Sequence, residues 1–233
     1  MAKEENMMYL ERFIVSNDFE SLLKRYFYTD ERTIEVCASM AFWDMIRTYR
    51  GYLKMPDTEK KALRATMAKW VACNINEFFM SKISKRDEFD LWHNKICEGL
   101  REESEKHIDW FENNKLPYGT VQYILNTTFM NMLIMERWDN HLDPIREFLH
   151  VPVDTIVIKA AGNDFEITVP RQHGGVGIYS GERNNENKLS KLFKSWTHNE
   201  YIKFQDDVRN AVTCPIKWVL ESKAKQYQNR KEG

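Results

Sequence analysis

Leu116-Pro117-Tyr118-Gly119-Thr120-Val121-Gln122-Tyr123-Ile124-Leu125-Asn126-Thr127-Thr128-Phe129 is the stretch on which the fold reading turns. Pro117 and Gly119 make a turn, and an apolar helix follows from about Gly119 to Arg137. The free backbone N–H groups at such a helix start suit an anion such as a nucleic-acid phosphate. Gln122 and Asn126 stand four residues apart, so they share one polar face of an otherwise apolar helix.

Helical periodicity extends to both sides. Asp30 is placed to cap a helix carrying Ile34, Cys37, Ala38, Ala41, Phe42 and Met45. Pro56-Asp57-Thr58 opens another, with Leu63, Met67, Trp70, Val71, Asn74 and Phe78 at helical spacing. A third begins near Asp87 and runs through Phe89, Trp92, Ile96 and Leu100 to Ile108 and Trp110, with Glu102 to Lys106 as a solvated charged face. Asn113-Asn114 then breaks the pattern. Downstream, Asp164-Phe165-Glu166-Ile167-Thr168-Val169 alternates polar and apolar residues and predicts a short strand or hairpin arm. Pro170 to Asn187 holds Gly174, Gly175, Gly177 and Gly181 and reads as a long loop of the kind that carries function. Helices return from Leu189 to Trp196, from Tyr201 to Val212, and from Pro215 into a frayed polar tail beginning at Lys223.

The expected fold is therefore mainly α, a compact multi-helix bundle with a helix-hairpin-helix-like element and a small β insertion. The domain reading is one mainly helical domain over 1–233, divisible into two helical lobes. One lobe takes about 30–115 with the C-terminal helices, the other is a hairpin lobe at about 116–162, and the strand and loop insertion covers 163–187. Seven Trp and 42% hydrophobic residues supply a core and exclude general disorder. The nine Gly and six Pro in 233 residues favour helices over a turn-rich β fold.

Cys37, Cys73, Cys97 and Cys214 are far apart and each lies in an apolar-periodic stretch, which predicts buried free thiols. No close-spaced ligand pairs suggest a metal site, so none is expected. The N-terminal residues lack the apolar core of a signal peptide, and no apolar run approaches the roughly 18 residues of a membrane span. These features predict a cytoplasmic protein with no membrane partner, no cofactor and no evident obligate protein partner.

A second informative stretch is His150-Val151-Pro152-Val153-Asp154-Thr155-Ile156-Val157-Ile158-Lys159-Ala160-Ala161. It places a single carboxylate between apolar residues at the start of an apolar segment, where an Asp after Pro-Val is a good helix N-cap. Together the two stretches resemble the helix-hairpin-helix DNA glycosylase superfamily. Leu116, Pro117, Gly119, Thr120 and the Leu125 to Phe129 end look like its hairpin and second helix. Val153-Asp154-Thr155-Ile156-Val157 looks like its catalytic segment, with a basic residue nearby at Lys159. The resemblance covers about 45 residues, and the hairpin has one glycine where the family has two or three.

The resemblance implies an enzyme that flips a damaged or modified base out of DNA and hydrolyses its N-glycosidic bond. Asp154 would be the catalytic group, stabilising an oxocarbenium-like state and activating water. Gly119 or Thr120 stands where bifunctional members place a lyase lysine, which implies a monofunctional enzyme. The absence of a cysteine cluster implies no iron–sulfur centre. DNA contacts are expected from Tyr118, Gly119, Thr120, Gln122, Asn126 and Lys159, and from Arg171, Gly174 and Gly175 of the glycine loop. Trp92 and His93 are candidates for the base pocket. Some glycosylases of this kind serve antiviral defence by removing modified bases from phage DNA, and the chain is compatible with that role.

Two other readings compete. Arg86, followed by six residues and His93, matches the short motif of HEPN ribonucleases, whose site would be completed by a second protomer. A non-catalytic nucleic-acid- or nucleotide-binding protein using Gln122, Asn126 and the glycine loop is the third. The near balance of 34 Lys and Arg against 35 Asp and Glu hides asymmetry. Residues Glu77 to Lys115 are acidic on balance and Cys214 to Gly233 basic, so a DNA-binding face should lie around the hairpin and the C-terminal half. Few phosphates can then be neutralised at once, which predicts modest nonspecific affinity and a shallow salt dependence.

Overall fold

The computed structural model describes residues 32–81, 83–107, 115–179 and 192–232, with side chains as far as Lys225. The expected helix cap at Asp30, the break at Asn113-Asn114, the helix end at Ile108 to Trp110, Gly181 and the start of a helix at Leu189 lie outside these residues.

The described residues are mainly helical, with one two-stranded antiparallel sheet among them. Helix α1 spans Ile34–Ile46, and its first turn is capped by Thr33, whose hydroxyl accepts from Val36 N–H. The short α2 (Arg50–Lys54) leads to α3 (Asp57–Met80) and α4 (Arg86–Glu105). Lys85 rather than Asp87 is the residue before α4, so Arg86 is its first helical residue. Helix α5 (Tyr118–Ile134) is buried along its whole length, its polar residues Gln122, Asn126 and Asn131 included. It packs against α1, α4 and a later 3-10 turn at Phe193–Ser195. After the short α6 (Asp139–Leu142), a 3-10 turn at Asp143–Ile145 leads to an irregular segment and then α7 (Thr155–Phe165). Strands β1 (Thr168–Pro170) and β2 (Val176–Ile178) follow, with Thr168 opposite Ile178 and Pro170 opposite Val176. Helices α8 (His198–Ala211) and α9 (Pro215–Glu232) close the described chain.

Three sequence expectations need correction. The strand predicted from Asp164 starts only at Thr168, because α7 continues to Phe165. Trp218 of α9 clamps that last turn: its indole N–H donates to Asp164 Oδ2 at 2.9 Å, and its ring lies 5.3 Å from Phe165. Glu166 then takes a left-handed conformation and turns the chain into β1. Of the region predicted as a helix ending at Trp196, the described residues 192–196 hold a 3-10 turn, Phe193–Ser195, and no α-helix. Finally, the polar tail expected from Lys223 is still helical and Lys223 is buried. Of the cysteines, Cys37 and Cys97 are buried as expected, Cys214 is half-buried, and Cys73 is exposed on α3. Among the described residues no helix is long and apolar enough to cross a membrane.

Candidate functional site

Apolar side chains from every major helix enclose a polar seam between α4, α5, α8 and the segment His150 to Asp154. Buried polar groups cost about 1–3 kcal/mol each when left unpaired. Here, Arg209 Nε excepted, they find partners in a chain with a definite direction. Asn126 Nδ2 donates to the Tyr201 hydroxyl at 2.9 Å, and Tyr201 donates in turn to His150 Nδ1. His150 Nε2–H donates to Asp90 Oδ1 at 2.7 Å. Arg209 grips the same carboxylate with two N–H groups at 2.8 and 2.7 Å and also donates to Phe148 O. At the other end His93 Nε2–H donates to Asn126 Oδ1 at 2.7 Å, which leaves His93 Nδ1 to accept from the Cys97 thiol at 3.7 Å.

The charge states agree with these directions. Burial lowers the His150 pKa to about 4, against the partial opposition of its bond to Asp90, so the ring is neutral at pH 7. His93 is 1% exposed and is held well below its ordinary value by burial and by the neighbouring His150. Burial would raise the Asp90 carboxyl, but the hydrogen bonds from His150 and Arg209 outweigh it and hold it well below the usual carboxylate range. Tyr201 is raised far above an ordinary phenol, chiefly by burial, and stays protonated as a donor.

What the seam holds is a stretch of irregular backbone. Gln205 brackets Val151, accepting from its N–H and donating to its carbonyl, both at 2.9 Å. Asn126 also donates to Val151 O at 3.2 Å. Three residues later, Asp154 caps α7, its Oδ1 accepting from Val157 N–H at 2.8 Å as the sequence predicts for an Asp in this position. Its Oδ2 accepts from Lys223 Nζ of α9 at 3.0 Å, and the two side chains are 14% and 11% exposed. Asp154 thus has one oxygen engaged by the α7 backbone and the other by Lys223, while each oxygen keeps lone-pair capacity for a further partner.

The other expected site residues separate into two groups. Tyr118, Gly119, Thr120, Gln122 and Asn126 are not at the surface. Residues 193–195 roof the start of α5, and the Phe193 carbonyl oxygen lies only 2.0 Å from where a Gly119 Cβ would sit. The expectation that this helix start receives a DNA phosphate is therefore corrected, because protein backbone occupies the space. Gln122 and Asn126 do share a face, but it points inward, where Asn126 donates to Gln122 Oε1 at 3.0 Å and Gln122 donates to Gly119 O at 2.7 Å. Tyr118 donates to Asn94 Oδ1 at 3.1 Å, and Thr120 pairs with Tyr49.

The second group is outward. Lys159 is exposed on α7, and Arg171, Gly174 and Gly175 form the tip of the β1–β2 hairpin. Both tip glycines have positive φ, 93° and 75°, a conformation L side chains rarely adopt. The hairpin is seated on α7 where Gly162 lets the Tyr179 carbonyl approach; a Cβ there would meet that oxygen at 2.4 Å.

Trp92 is half-buried in an aromatic cluster with Phe78, Phe89 and Phe129, with ring centroids 4.3 to 6.0 Å away. That is a packing role, and His93 beside it is buried. Of the pair named in the ribonuclease reading, His93 is buried, while Arg86 reaches the surface and pairs with Asp206. No group of three or more side chains suited to hold a metal occurs among the described residues.

Sequence reasoning gave no role to His150, Tyr201, Gln205, Arg209 or Lys223. Two of them carried a signal: Gln205 and Lys223 interrupt the buried stripes of α8 and α9 with a polar residue. Comparison of the chain with protein-family models, with curated proteins and with solved structures found no match.

Proposed function

We propose that the protein is a monofunctional DNA N-glycosylase acting on a damaged or modified base, with Asp154 as its catalytic carboxylate. The observation that carries this reading is the expense devoted to one short segment. Asn126, Tyr201, Gln205, His150, Asp90 and Arg209 are spent, wholly or largely out of water, on fixing the backbone that ends in Asp154. Reactive groups held this rigidly are what catalysis requires, whereas a plain helix cap does not.

In this reading the target nucleotide leaves the stack so that its glycosidic bond becomes reachable. As the C1′–N bond breaks, positive charge builds on the sugar, and the Asp154 carboxylate stabilises it. A water oxygen bonds to C1′ as the C1′–N bond breaks with its pair going to the base; the water's proton passes to Asp154 and from there, through solvent, to the departing base, which regenerates the carboxylate. The products are a free base and an abasic site. DNA is held by Lys159 and by the hairpin tip at Arg171, Gly174 and Gly175, while the α5 residues act from beneath as scaffold. Antiviral action against modified phage DNA is a role this chemistry would serve.

Asp154→Asn is the direct test, because asparagine keeps the helix cap and removes the charge. Duplex DNA carrying damaged or modified bases is incubated with each protein and then treated with mild alkali. The wild type is expected to give strand scission at one base type, and the variant to bind DNA equally but lose at least about 1,000-fold in rate. Equal rates of abasic-site formation would reject the role of Asp154.

A further inference from the structure

The ion pair behind Asp154 is not explained by helix capping. Helix α9 turns Ile216, Val219, Leu220 and Ala224 inward, and Lys223 falls on that same stripe. A lysine at such a position gives up hydration, and lysines are almost never fully buried unless paired. Capping asks only for an acceptor, which Oδ1 supplies to Val157 N–H, and serine or asparagine would serve without any cation. Lys223 is directed at the other oxygen.

We infer that Lys223 is a positioning residue for the Asp154 carboxylate. This rests on the glycosylase reading and deepens it by bringing the C-terminal helix into the active centre. With Oδ1 tied to the α7 backbone and Oδ2 tied to the Lys223 ammonium, the plane of the carboxylate cannot rotate. The remaining lone pairs then meet the sugar and the attacking water in one fixed orientation. Without the ammonium the carboxylate turns about its last torsion, and displacement of about 1 Å at a reacting group costs on the order of 100-fold in rate.

The test compares single-turnover base excision with DNA affinity in the full chain. Lys223→Met is expected to excise about 100-fold more slowly, with DNA Kd within about two-fold of wild type. Lys223→Arg, which keeps a cation and N–H donors, is expected to recover the rate to within about five-fold of wild type. Lys223→Gln keeps a donor without charge and should fall between them, which also covers a Lys223→Met protein that fails to fold. A wild-type rate in Lys223→Met, or rate and affinity falling together, would overturn the positioning role. A borohydride-trapped protein–DNA adduct that depends on Lys223 would overturn it in favour of a nucleophilic amine. Absence of excision by the wild-type protein on every substrate would instead remove the glycosylase reading, and this inference with it.

Discussion

Acidification should loosen the molecule through His150, by an amount the structure sets. In the folded chain the ring is neutral, with a pKa of about 4; in the unfolded chain it takes the ordinary value near 6.5. Between those values the unfolded state binds a proton that the folded state refuses, so stability falls as pH drops. The loss starts near pH 6.5, accumulates to pH 4 and then levels off. A difference of about 2.5 units at about 1.36 kcal/mol each gives roughly 3 kcal/mol from this one side chain. His93 is lowered by the same kind of burial and adds to the loss, and Asp90 adds to it below about pH 4, where the unfolded carboxyl protonates while the folded one stays ionised.

The atomic reason is the direction of the seam. Protonated His150 could no longer accept from Tyr201, whose oxygen already accepts from Asn126. His150→Gln isolates the effect, since an amide can donate to Asp90 and accept from Tyr201 without titrating. Urea unfolding followed by circular dichroism from pH 8 to pH 4 is the assay. For an m-value of about 2–3 kcal/mol/M, the wild-type midpoint should fall by at least about 1 M. The variant should fall by clearly less. A flat wild-type midpoint between pH 7 and pH 4.5, or the same slope in both proteins, would refute the assignment of a neutral buried His150.

Other consequences are local. Gly119→Ala drives a methyl into the Phe193 carbonyl, and relief requires moving the backbone of residues 193–195, so about 2–3 kcal/mol should be lost; thermal denaturation checks this, and an unchanged Tm contradicts the close approach. Tyr201→Phe strips His150 Nδ1 of its donor and Asn126 of an acceptor in a site without exposure, with an expected cost of about 2 kcal/mol in denaturant unfolding. A loss under about 0.5 kcal/mol would mean that Tyr201 is not part of a satisfied network.

How much of this could be read in the sequence depends on the distance over which each feature is encoded. The stripe at Ile34, Cys37, Ala38, Ala41, Phe42 and Met45 gave its helix because burial repeats every three or four residues within one element. Asp154 announced its cap for the same reason, since the donor is only three residues away. The strand boundary was missed because what extends α7 to Phe165 is Trp218, more than fifty residues further on. The start of α5 was read as a phosphate cradle because nothing near Gly119 reveals that residues 193–195 cover it. The seam was invisible for a stronger reason: Asp90, Asn126, His150, Tyr201 and Arg209 come from four separate parts of the chain, and only folding joins them.

The most direct measurement is the chemical identity of what the wild-type protein releases from DNA. Duplexes with damaged or modified bases would be incubated with the protein, and the small products separated and weighed by mass spectrometry. The account predicts an intact free base of one type, matched mole for mole by abasic sites in strands whose phosphodiester bonds remain whole until alkali is added. Release of nucleotides, or strand cleavage without alkali, would show a nuclease, and no product from any substrate would leave a protein that only binds; either result would contradict the account.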